Sequence, residues 1–116
     1  RDTRYTYQFL QQHESFTLSF FNEKYRNALR ICGTMSGRNT DKVKEAGLTP
    51  LETPSGLMSF EEARMIIECK KMFIQELDYA NLTEPYKSKI MEEAYKNELS
   101  KHQMFISEIV NIWIKK

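Results

Sequence analysis

The chain has 116 residues, enough for one domain with a modest hydrophobic core. Lys plus Arg number 17 and Asp plus Glu 16, so the near-neutral balance lacks the basic footprint of a nucleic-acid binder. No apolar run approaches the roughly 18 residues of a membrane helix, and no basic head with a small-residue cleavage site opens the chain, which predicts a cytoplasmic protein without membrane or nucleic-acid partners.

Arg1 enters directly into "RDTRYTYQFL" with no initiator methionine, which predicts that residues 1–116 are the later part of a longer natural domain. Residues 4–12 read as a short helix. In "SFTLSFF", Phe16, Leu18 and Phe20 alternate with Thr17, Ser19 and Phe21, and a period of two predicts a strand. In "NEKYRNALRICG" the apolar positions Tyr25, Ala28, Leu29 and Cys32 follow helical spacing, and Gly33 is the expected stop. Asp41 is placed to cap a second, short helix that carries Val43 and Ala46 inward and ends at Gly47. "LTPLETPSG", with two prolines, reads as a surface loop.

Ser59 and Glu62 form a capping-box pattern, which predicts a single helical turn at 60–63. "RMIIECKKMFIQEL" then alternates as a strand, with Met65, Ile67 and Cys69 on one face. "EPYKSKIMEEAYKNELSK" predicts an outer amphipathic helix with Pro85 in its first turn and a stripe of Tyr86, Ile90, Ala94 and Leu99. In "QMFISEIVNIWI" the even positions from Met104 to Ile114 alternate with Phe105, Ser107, Ile109, Asn111 and Trp113. Bulky apolar groups on both faces predict a strand central to a barrel or covered by a partner. Cys32 and Cys69 lack CxxC or Cys/His spacing and read as reduced core thiols, with no metal site indicated. The sum is a mixed chain of separated strands joined by helices, suited to a closed or split barrel with peripheral helices.

"RDTRYTYQFL", "FTLSFF", "CGTMSGRNTDKVKEAGLTP", "SFEEARMIIECKKMF" and "HQMFISEIV" occur in the order found in the flavin reductase-like, FMN-binding split-barrel family, which includes flavoredoxin-type members. The resemblance runs from residue 1 to about residue 112 and is most specific in "CGxxSGRxxDKxxxAGL". It implies a mainly β fold with peripheral helices (α+β), a split β-barrel that here lacks the N-terminal strands members carry before the RxTRYT segment. It also implies a homodimer with FMN, or FAD in its place, near the subunit interface, and NADH or NADPH as hydride donor. Carried onto this chain, Arg1, Thr3, Arg4 and Thr6 would face the FMN phosphate. Ser36, Gly37, Arg38, Asp41 and Lys42 would lie at the cofactor, and His102 near the flavin or the nicotinamide entrance.

Guanidinium forks, hydroxyls and backbone amides of a glycine-bearing turn are the groups that satisfy a phosphate carrying about two negative charges. A lysine such as Lys42 favours a negatively charged reduced flavin, and because the isoalloxazine performs the electron chemistry no catalytic dyad or triad is required. Spacing alone reads "TMSGRNTDK" as a solvated turn, Arg1 and Arg4 as surface charges, and His102 as a strand cap. Trp113, Tyr5, Tyr7 and Phe105 read as core or subunit packing. Three functions stay open at this point: an NAD(P)H-dependent flavin reductase, an FMN electron carrier without a nicotinamide site, and a flavin-free structural or interaction module.

Overall fold

The computed structural model describes residues 5–34, 41–93 and 102–116. In chain order the elements are α1 (Tyr5–Gln12), β1 (Ser15–Phe20), a 3-10 turn at Glu23–Tyr25 running into α2 (Arg26–Thr34), α3 (Lys42–Ala46), β2 (Pro50–Glu52), β3 (Met58–Phe60), β4 (Met65–Glu76), a 3-10 turn at Tyr79–Asn81, α4 (Tyr86–Glu93) and β5 (Gln103–Ile114). The strands form two antiparallel sheets, one ordered β1-β4-β5 and one made of β2 and β3.

The alternation in β1 sets the two faces of the larger sheet. Phe16, Leu18 and Phe20 lie opposite Cys69, Ile67 and Met65, which in turn oppose Ile109, Ile112 and Ile114. Directly opposed residues share a face, so this face is apolar. The other face carries Thr17 and Ser19 beside Glu68 and Ile66, and these beside Asn111 and Trp113. The apolar face is only partly covered by the described residues: Leu18, Ile112 and Ile114 are 46%, 52% and 70% exposed. A radius of gyration of 16.4 Å, against about 13 Å for a compact chain of this length, agrees with a sheet that the described residues do not wrap closed.

The register shifts twice along the β4-β5 pair. Val110 is left without a partner between the Glu68–Asn111 and Cys69–Ile109 pairs, and Met72 between Lys71–Ser107 and Phe73–Ile106. Each extra residue bends its strand and exchanges the faces beyond it. The simple alternation expected from Met104 to Ile114 is therefore broken at Val110: Ile112 shares a face with Ile67, whereas Glu108 shares the opposite face with Lys70.

The segment "LTPLETPSG" is not a free loop. Pro50, Leu51 and Glu52 pair with Phe60, Ser59 and Met58, with the proline as the first residue of the strand, where no ladder donor is needed. Thr53 N–H donates to Leu57 O at 2.6 Å, Gly56 N–H to Thr53 O at 2.9 Å, and Gly56 takes φ +85° to close the turn. Two hydroxyls of β1 fix this hairpin to the polar face of the sheet. Thr17 Oγ1 donates to Met58 O at 2.6 Å, and the Ser19 and Ser59 hydroxyls lie 2.7 Å apart.

The capping-box residues are thus employed elsewhere. Ser59 is in β3 and bonds Ser19, while the Glu62 carboxylate accepts from Thr49 N–H with both oxygens at 3.0 Å. Of the helical turn expected at 60–63, one closing bond is present, Ala63 N–H to Phe60 O at 3.1 Å, although Phe60 itself belongs to the strand.

α2 continues through Gly33 to Thr34, whose hydroxyl donates to Arg30 O at 2.8 Å, so the predicted stop at Gly33 is not used. On α4, Ile90 is half-buried but Tyr86 is 62% exposed and does not join a buried stripe; Ala94 and Leu99 lie outside the described residues. The buried apolar residues Ala28, Leu48, Ala63, Ile66 and Cys69 come from the hairpin region, α2 and β4, which gives the hairpin a rigid seat.

Candidate functional site

Of the residues predicted to form the site, Thr6, Asp41, Lys42 and His102 fall in the described structure; Arg1, Thr3, Arg4, Ser36, Gly37 and Arg38 lie outside the described residues. The four that can be placed are held by two separate sets of elements.

Asp41 and Lys42 sit on the α2-α3 pair. Asp41 Oδ1 accepts from Lys44 N–H at 3.2 Å, which makes Asp41 the N-cap of α3 as its position predicted. The same short helix is closed by Gly47 at φ +72°, with Gly47 N–H to Lys44 O at 3.1 Å and Leu48 N–H to Val43 O at 3.0 Å. This paired bond pattern satisfies the last carbonyls and turns Leu48 into the core. Lys42 is half-buried, and its Nζ donates to the carbonyl oxygen of Cys32 at 2.8 Å.

Thr6 lies on α1, and His102 immediately precedes β5. Thr6 is exposed on α1, which Lys71 secures: its ammonium donates to Leu10 O and its backbone N–H to Glu14 O at 2.8 Å. Tyr7, next to Thr6, meets the edge of Phe105 with ring centroids 6.5 Å apart. His102 precedes β5; its N–H donates to Tyr79 Oη at 2.7 Å, and its carbonyl accepts from Leu77 N–H at 3.0 Å. Its backbone therefore ties the 3-10 turn to the start of the last strand.

The strongest electrostatic feature lies elsewhere and was not read from the sequence. Glu68 is fully buried on the polar face of the sheet. Its carboxylate accepts from Trp113 Nε1–H at 2.8 Å and Asn111 Nδ2 at 3.0 Å, with Thr53 and Ser55 of the hairpin turn as further donors. Burial raises the cost of its charge, but the four hydrogen bonds outweigh it and hold the carboxyl down to about 2. Asn111 also reaches Ser55 Oγ at 3.3 Å, so the hairpin and sheet are joined through one cage of neutral donors. Burial alone pushes the Cys69 thiol up, away from nucleophilic reactivity.

The flavin reductase like domain matches residues 1–116, the whole chain. The chain belongs to the flavin reductase-like family. Solved structures with the same fold include flavoredoxin of Desulfovibrio vulgaris (Miyazaki F), at 24% identity and a TM-score of 0.70 over 100% of this chain and 50% of that one. An FMN-binding protein of Thermus thermophilus is 18% identical, with a TM-score of 0.69 over 98% of this chain and 51% of its own. A split-barrel-domain protein of Shewanella frigidimarina NCIMB 400 is 16% identical, with a TM-score of 0.70 over 99% and 48%. This flavin reductase-like chain thus spans about half the length of these solved relatives and shares their split-barrel fold. No curated protein matches it significantly. Among the described residues, no helix is long and apolar enough to cross a membrane.

Two of the predicted site residues that can be placed carry groups of the kind a phosphate accepts from. Thr6 carries an exposed hydroxyl, and Lys42 a half-buried ammonium that donates to Cys32 O at 2.8 Å. The one predicted anion, Asp41, uses a carboxylate oxygen to cap α3. Trp113, read from sequence as a packing residue, proves to be a hydrogen-bond donor to Glu68. A lone glutamate flanked by "MII" and "CKKMF" in an alternating strand was the available signal, since a carboxylate there must find partners.

Proposed function

We propose that the protein is an FMN-binding flavoprotein that acts as an NAD(P)H-dependent flavin reductase, in the cytoplasm and as a homodimer. The observation that carries this reading is the family match over residues 1–116, which includes both polar segments named from the sequence. Arg1, Thr3, Arg4 and Thr6 take the phosphate, Ser36, Gly37, Arg38, Asp41 and Lys42 line the cofactor, and His102 stands at the nicotinamide entrance. The bound isoalloxazine supplies the electron chemistry. The chain's own residues bind and orient it: hydroxyls and guanidinium groups neutralise the phosphate. Half-buried Cys32 and buried Cys69 are free thiols, as a reducing compartment maintains them.

The visible spectrum of the purified full-length protein, followed by anaerobic addition of NADH and NADPH, tests the reading. A yellow protein bleached by either nicotinamide supports the reductase. Bleaching by dithionite alone supports the electron carrier, and a colourless protein that cannot be loaded with FMN or FAD supports the structural module. Sedimentation of the same full-length protein as a monomer at micromolar concentration would remove the dimer.

A further inference from the structure

A cavity of about 450 Å³ opens between the β2-β3 hairpin and the last residues of β5. Its walls are mostly apolar: Leu51 and Phe60 come from the hairpin, Ile66 and Trp113 from the larger sheet. His102 precedes the other end of β5, a strand of 12 residues, which puts roughly 35 Å between histidine and cavity. The flavin reading uses none of the residues that line it.

The walls are fixed in advance. The Thr17 and Ser19 hydroxyls hold the hairpin to the sheet, and Lys115 N–H donates to Arg64 O at 2.9 Å, which ties the end of β5 to the turn before β4. The 2.8 Å bond from Trp113 Nε1–H to the Glu68 carboxylate fixes the orientation of the indole, which is 38% exposed. A preformed apolar cavity of this size with a few polar groups suits a small organic ligand.

Two lining residues of opposite charge, Glu61 and Lys115, select its chemistry. Lys115 Nζ donates to Glu61 O at 3.0 Å, which holds the ammonium close to the Glu61 backbone. A carboxylate ligand would meet the like charge of Glu61, and an amine that of Lys115. A phenolic hydroxyl accepts from an ammonium and donates to a carboxylate, so it suits both. We propose that this cavity binds a small phenol, with its ring against Phe60 and Trp113 and its hydroxyl between Lys115 and Glu61. Offset or edge contacts between the rings add to the burial of apolar surface.

The test adds p-cresol, neutral at pH 7, to the full-length protein and follows the Trp113 indole N–H by NMR, assigned through Trp113→Phe. Calorimetry gives the affinity. The indole resonance is expected to shift and saturate, with a dissociation constant of about 1 mM. The anion 4-methylbenzoate is expected to bind about tenfold more weakly, and Lys115→Met to weaken p-cresol about fivefold. Leu51→Trp fills the cavity from an exposed strand position and is expected to abolish the p-cresol shift. An indole resonance that stays in place, or one that moves equally with 4-methylbenzoate, overturns the proposal; both are read on the parent and need no variant to fold. A shift that survives in Leu51→Trp overturns it too. Flavin bands that move in step with the indole place the phenol on the flavin, with the same consequence, and in a protein that takes up no flavin the indole alone decides.

Discussion

Trp113 Nε1–H donates to Glu68 Oε1 at 2.8 Å across the β4-β5 pair, one step diagonal from the Glu68–Asn111 partners. The indole of the only tryptophan is thus oriented by a buried charge. A carboxylate taken from water must have its oxygens satisfied, and here neutral donors from β5 and the hairpin turn supply that need. The pair therefore joins two levels of structure, the strand register and the seat of the β2-β3 hairpin.

Glu68→Gln keeps the shape but turns one acceptor into a donor that faces other donors. The expected loss is about 2 to 3 kcal/mol, the scale of leaving buried polar groups unsatisfied. Denaturant unfolding followed by Trp113 fluorescence reads both parts: a lower midpoint, and a native emission changed by the loss of the carboxylate beside the indole. Native emission and stability equal to the parent would show that the cage does not hold the hairpin.

The same residue sets an acid limit. Its carboxyl titrates near 4.5 in the unfolded chain and at about 2 when folded. Between these values the unfolded state holds more protons, so stability rises with pH across the window, is fully present above about 4.5, and is lost as pH falls toward about 2. Glu62 adds in the same direction, since the Thr49 amide lowers its carboxyl too. Acid unfolding from pH 6 to 2 should therefore be shallower in Glu68→Gln than in the parent; parallel curves would assign the acid sensitivity to other carboxylates.

Asp41→Ala and Gly47→Ala probe the two ends of α3 by different means. The first removes a cap bond to Lys44 N–H and is expected to cost about 1 kcal/mol. The second adds a methyl that meets nothing within 4 Å, so its cost, about 1 to 2 kcal/mol, is the left-handed backbone alone. Chemical unfolding of the two variants checks both values. A neutral Gly47→Ala would mean that α3 ends in another way in solution.

What was legible in the sequence followed from periods and caps. β1, β4, β5, α2 and the Asp41–Gly47 limits of α3 have local signals strong enough to stand alone. The β2-β3 hairpin did not, because three-residue strands offer too little alternation and the Ser59–Glu62 spacing imitates a helix start. Gly33 misled for a related reason: a glycine needs a positive φ only where the chain reverses, and α2 finds partners for its last carbonyls in Thr34 and Lys42. Of the site, sequence spacing located Asp41 as a cap, while Thr6 and His102 took their roles from family resemblance. Glu68 signalled a need for partners, but not which ones, because its donors come from residues 53, 55, 111 and 113, which only the fold brings together.

The anchoring of α1 gives the last prediction. In the proposed site the phosphate is taken by Arg1, Thr3, Arg4 and Thr6, and α1 carries the last of these, so the placement of α1 bears on the site. Its tie is Lys71, which meets the last turn through Leu10 O and the following segment through Glu14 O. Lys71→Met keeps the backbone bond and the aliphatic length but removes the ammonium from the helix end. The expected loss is about 1 kcal/mol of stability, typical of a single net hydrogen bond with its dipole contribution. FMN affinity should fall as well, and the effect should shrink when Arg4 is already alanine, because both changes then act on the same phosphate contact. A double-mutant cycle of Lys71→Met and Arg4→Ala in flavin titrations measures that coupling. Full additivity would separate α1 from the phosphate end and return Arg4 to the role of a surface charge.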